Sequence, residues 1–168
     1  FDLNGIIDYS ESLKKLNFTV DIENYEVGVN NNFKGGLSIN LEGSSVDDLT
    51  GSIMLSDSYY NNHSKNYFFE DLMIYSLFER DEKVIKIDSE SINGFVKGDI
   101  NNLSNRLKES VLFNLYNNKT LISSNSNVKT VFEFNIDDDL ISILYPDLSF
   151  GKNTLISGVI DDNINNFK

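Results

Sequence analysis

No cysteine occurs anywhere in the 168-residue chain, and histidine occurs once. The first absence excludes disulfide frameworks, cysteine-based zinc sites and thiol nucleophiles together. The second leaves His63 as the sole imidazole for general acid–base work. His63 sits in Tyr59-Tyr60-Asn61-Asn62-His63-Ser64-Lys65-Asn66, a polar stretch that reads as a hairpin loop, where a histidine is a solvated residue rather than a catalyst. Tryptophan is absent and Pro146 is the single proline. No apolar run approaches the ~20 residues of a membrane-spanning helix. Positive charge is scarce as well: 14 Lys and Arg against 26 Asp and Glu leave a net charge of −12. Such a chain cannot neutralise a run of phosphates, which argues against a nucleic-acid partner. Nor can it dock on an anionic membrane face through basic residues.

What is present is a two-residue rhythm. Apolar and polar residues alternate over 37–41, 52–56, 68–75, 84–87, 91–100, 130–136 and 154–160, and upstream over 18–22 and 25–29, with a weaker run over 3–9. Clusters of Asn, Asp, Gly and Ser separate these runs. Many short strands of this kind predict a mainly antiparallel all-β architecture. Two segments break the rhythm. Residues 102–115 place Leu103, Leu107, Val111 and Leu115 at steps of four behind a capping asparagine, which predicts a short helix with an apolar stripe. Residues 137–146 open with Asp137, Asp138 and Asp139 and stop at Pro146, which predicts a second short helix. A hydrophobic content of 40% is just enough for a core, and the whole of 1–168 reads as a single β-rich domain.

Motifs that would carry chemistry are weak. Asp137–139 and the Asp161-Asp162 pair lack the alternating oxygen ligands and central glycine of a calcium loop, and read as solvated caps. Among 26 carboxylates some pair is bound to face another, so carboxylate pairing does not single out a glycosidase. The glycines form no phosphate-binding loop at the head of a helix. Sequons at Asn17, Asn62, Asn102 and Asn118 are expected by chance in a chain this rich in asparagine. These residue types therefore predict no enzyme, no metal and no cofactor. What remains is the alternating apolar face. Periodicity favours a closed β-sandwich whose two sheets bury one another, but it also admits an open, curved sheet whose apolar face lines a groove for lipid acyl chains.

Several elements resemble the C-terminal region of TamB-like proteins of the Bacteroidetes type. The first is Leu41-Glu42-Gly43-Ser44-Ser45-Val46-Asp47-Asp48-Leu49-Thr50-Gly51-Ser52-Ile53. A hairpin from Tyr59-Tyr60 to Tyr67-Phe68-Phe69-Glu70-Asp71-Leu72 follows. Next come Ile85-Lys86-Ile87-Asp88-Ser89 and Asn93-Gly94-Phe95-Val96-Lys97-Gly98-Asp99-Ile100, with Ser89-Glu90 standing where the family pattern has Ser-Asp. Phe132-Glu133-Phe134-Asn135-Ile136, Leu144-Tyr145-Pro146-Asp147-Leu148 and Ile156-Ser157-Gly158 close the series. The ordered set covers about two-thirds of the chain, and residues 1–35 lie outside it.

The resemblance implies a segment of an AsmA-like, bridge-forming lipid transport protein. Such a protein is anchored in the inner membrane of a Gram-negative bacterium and crosses the periplasm as a U-shaped, open β-sheet. Because the chain opens on Phe1, it is read as a segment excised from a longer protein. The implied function is phospholipid transport toward the outer membrane, or outer-membrane protein assembly with a barrel partner of the TamA or BamA type. The candidate groove wall is Leu37, Ile39, Leu41, Ile53, Leu55, Leu72, Ile74, Ile85, Ile87, Phe132, Phe134 and Ile136. Ser38, Asn40, Ser52, Lys86, Glu133 and Asn135 are then expected on the opposite, solvent face. The competing reading is a self-contained β-sandwich binding module, an adhesin or glycan binder, with Tyr59, Tyr60, Tyr67, Phe68 and Phe69 as its aromatic platform.

Overall fold

The computed structural model describes residues 2–9, 14–26, 31–45, 47–62, 65–101, 103, 129–137, 151–161 and 165–167. Ten strands make up this part: β1 (Asp2–Tyr9), β2 (Lys14–Glu26), β3 (Asn32–Gly43), β4 (Thr50–Asn62), β5 (Lys65–Glu79), β6 (Glu82–Ser89), β7 (Ile92–Lys97), β8 (Thr130–Ile136), β9 (Thr154–Ile160) and β10 (Asn165–Phe167). They form one antiparallel sheet in which spatial order equals chain order, β1 through β10. The sheet does not close on itself, and β1 and β10 are its two edges. An open, curved all-β sheet is therefore the architecture, and the described residues contain no second sheet that would make a sandwich. Both expected helices, at 102–115 and 137–146, lie outside the described residues except for Leu103 and Asp137, as does His63.

Local chemistry explains the turns. Arg80 and Asp81 connect β5 to β6 with φ of 51° and 67°, so both central residues are left-handed, as a two-residue hairpin matched to strand twist requires. Ser89 secures the β6–β7 turn: its Oγ donates to the Ile92 carbonyl at 3.1 Å and accepts from the Ile92 amide at 3.0 Å. The run at 18–22 and the start of that at 25–29 belong to one strand, β2, which extends to Glu26; residues 27–29 lie outside the described residues. An irregularity lies between Ile22 and Tyr25, and another in β4 at Asp57, whose φ is 45°. Such bulges bend a strand and increase its twist.

Burial is uneven across the sheet. Val96, Phe132 and Ile160 form a buried cluster near one end of the strands, with Ile100, Leu103, Phe134 and Ile156 packed against it. The apolar residues at mid-strand in β3 to β6, by contrast, are only half-buried. This contrast predicts a graded response to truncation. Phe132→Ala should lower the unfolding free energy by about 3–5 kcal/mol, as for a packed aromatic. Ile53→Ala should cost less than about 2 kcal/mol, because part of its side chain is already in water. Urea unfolding of both variants is the check, and equal losses would contradict an open mid-sheet.

Candidate functional site

Cross-strand register converts the two-residue rhythm of each strand into two chemically different faces. Phe18 pairs with Ile39, Ile39 with Ile53, Ile53 with Ile74, Ile74 with Ile87, Ile87 with Gly94, Gly94 with Phe134, and Phe134 with Ile156. Residues in such a ladder share one face of the sheet. At ~4.8 Å between neighbouring strands, this single row runs roughly 34 Å across eight strands. A second row joins Val20, Leu37, Leu55 and Leu72, and ends on Ser89. A third joins Leu16, Leu41, Gly51, Ser76, Ile85, Val96, Phe132 and Gly158. All twelve candidate wall residues fall on this face, Ile136 through its pairing with Ile92. The candidate set omitted Leu16, Phe18, Val20, Ile92, Val96 and Ile156, which belong to the same rows. Their alternation was visible in the sequence, but the register that aligns them was not.

The other face carries the charge. Ser38, Asn40, Ser52, Lys86, Glu133 and Asn135 all lie there, as expected from parity. The ion pairs Lys15–Glu42 at 2.9 Å, Lys86–Glu79 at 2.6 Å and Lys97–Glu82 at 2.7 Å join neighbouring strands on it. Lys86 also draws the Glu79 carboxyl below its usual range, through the hydrogen bond first and the charge second. This face is not uniformly polar, however: Met54, Met73, Tyr75, Phe95 and the buried Val84 interrupt it. Glu70, Asp71, Met73, Asp88, Ser89 and Glu90 surround an open depression of about 330 Å³. Among the described residues no group of three or more histidines and carboxylates is placed to hold a metal ion.

Aromatic residues at the β4–β5 hairpin pack mainly on one another. Tyr59 and Phe68 are register partners with ring centroids 4.7 Å apart, and Tyr60 pairs with Tyr67, which is buried. Tyr59 and Phe68 remain about half exposed. Cross-strand packing thus accounts for the cluster.

One end of the apolar face is covered. The loop after β3 folds back over it, so that a Cβ on Gly43 would stand 2.6 Å from the Leu49 Cα. The Leu49 carbonyl accepts from Ser76 Oγ at 2.7 Å and from Lys83 Nζ, both on the apolar face. Lys83 is only 6% exposed, and its ammonium also stands 4.8 Å from the centre of the Phe78 ring. Burial pushes its pKa down, against the nearby carboxylates of Asp48 and Asp47. A second segment, 98–101, crosses the same end: Thr130 Oγ1 donates to the Asp99 carbonyl at 3.2 Å, and Asn101 Nδ2 donates to the Asp47 carboxylate. These contacts give a physical reading of the element from Leu41 to Ile53. Gly43 admits the loop, Asp48 caps its turn, Leu49 is the anchor, and Gly51 (φ 130°) avoids a collision with the Asn40 carbonyl.

The cap has a pH signature. The Asp48 carboxylate accepts from the Ser44 hydroxyl and from the Ser45 and Ser44 amides, which hold it well below its ordinary value of 3.8. A lowered folded-state pKa adds stability that is fully present above the unfolded value and lost as the pH falls toward the folded one. Urea unfolding near neutrality and near pH ~3 should therefore show a larger acid-dependent loss for the parent than for Asp48→Asn, which cannot titrate. Equal losses would mean that the turn does not contribute.

Comparisons with protein-family models, with curated proteins and with solved structures each return no match.

Proposed function

We propose that this chain is a non-enzymatic lipid-trough module, a segment of a TamB-like periplasmic protein. Its apolar face would carry phospholipid acyl chains between membranes, with an outer-membrane barrel of the TamA or BamA type as partner. The observation that carries this reading is the uninterrupted register ladder from Phe18 to Ile156, half-buried at mid-sheet in an open sheet. A face made of Ile, Leu, Val and Phe offers an acyl chain no directional partner, so it favours burial without fixing position. Each CH2 sheltered there is worth ~0.8 kcal/mol, and neighbouring sites along the row are nearly equivalent. Binding is then strong in sum and flat along the path, which suits sliding. A row of roughly 34 Å exceeds the ~15 Å depth of one leaflet's hydrocarbon, so it offers more than one chain length of continuous wall. The charge on the opposite face keeps the segment soluble while the apolar face stays open.

Photo-crosslinking side chains placed at Ile39, Leu55, Ile74 or Ile87 in the full-length protein should capture phospholipid in living cells. The same probe at Asn40, Ser56, Tyr75 or Lys86, one residue along each strand, should capture little. Equal capture at both parities, or capture of protein alone, would sink the lipid reading.

A further inference from the structure

The covered end of the trough suggests more than a boundary. At this end Leu41 is nearly buried, whereas Ile39, two residues away on the same strand, is half-buried; Val96 and Phe132 are covered by Ile100 and Leu103 of the second segment. Polar contacts attach the covering loop to the sheet. Its Leu49 carbonyl is held by Ser76 and Lys83, and Asp47 ties it to Asn101 of the second segment. Lys83 is the unusual member. An ammonium buried on an apolar face is costly unless a polar group faces it, and here the loop supplies that group. The lysine thus binds the loop to the sheet, and the loop in turn satisfies the lysine.

We propose that the loop carrying Ser44, Asp47, Asp48 and Leu49 is a gate pinned by Lys83. Closed, it stops an acyl chain at Ile39 on β3; lifted, it extends the trough over Leu41. This rests on the lipid-trough reading for its occupant, but the gate itself is a property of the fold. Two independent substitutions loosen it. Lys83→Met removes the pin and leaves an apolar chain of similar length. Gly43→Ala leaves Lys83 intact and pushes the loop away, because its new Cβ meets Leu49 backbone.

The chain has no native cysteine, so a single thiol reports access cleanly. Maleimide should label Leu41→Cys slowly and Ile39→Cys fast in the parent. Lys83→Met or Gly43→Ala should speed labelling of Leu41→Cys by about tenfold or more, the shift expected from losing one charge-assisted hydrogen bond, and leave Ile39→Cys unchanged. With phosphatidylethanolamine vesicles, a photo-crosslinker at Leu41 should capture lipid only in the loosened variants, and one at Ile74 in all. Equal labelling of Leu41→Cys and Ile39→Cys in the parent, or no acceleration in either loosened variant, overturns the gate. Accelerated labelling with no lipid at Ile74 in any variant overturns the lipid reading instead, and with it the gate's role in lipid passage.

Discussion

Antiparallel register is the constraint on which everything else rests. Each strand alternates its side chains between two sides, so a strand alone has two faces of different chemistry. Ten strands share a face only if every pairing keeps the same parity, and a slip of one residue would turn a strand's apolar set outward. The ladder through Phe18, Ile39, Ile53, Ile74 and Ile87 keeps that parity from β2 to β6, and Gly94, Phe134 and Ile156 carry it on to β9. Tight turns maintain it. The left-handed pair Arg80 and Asp81 leaves no slack between β5 and β6, and Ser89 closes the next turn through both its bonds to Ile92.

The consequence is a sheet with two unlike surfaces. Exposed ion pairs such as Lys15–Glu42 and Lys86–Glu79 contribute little stability each, about 0–1 kcal/mol. They do favour the register that brings opposite charges together on one side. Stability comes instead from apolar packing, and that packing is concentrated where Val96, Phe132 and Ile160 meet Leu103. A fold built this way is held at one end and open along its middle.

The burial of Lys83 shows how one polar residue can organise an otherwise apolar surface. Its ammonium needs a partner, and the Leu49 carbonyl is brought to it by a loop that Asp48 caps and Gly43 admits. The loop is therefore part of the sheet's electrostatics as well as its covering. Desolvation lowers the lysine pKa and the carboxylates of Asp47 and Asp48 oppose that, so the charge and its cover stabilise one another.

Alternation alone was enough to read the all-β class, most of the strands and the face of the mid-strand residues. Period two is a property of the backbone and needs no partner to be read. Leu37, Ile39 and Leu41 could thus be separated from Ser38 and Asn40 before any pairing was known. The runs at 18–22 and 25–29 stand apart in sequence because the irregularity near Tyr25 shifts the rhythm without ending β2. That the sheet stays open came from the strand pairing, since a sandwich and a trough require the same alternation. That pairing alone aligned β2, β7 and β9 with the proposed wall, for register depends on turn geometry and bulges rather than on local pattern. The pin at Lys83 was likewise invisible in sequence. Lys83 and Leu49 stand thirty-four positions apart, and nothing in a charged residue beside a turn reveals that a distant loop will bury it.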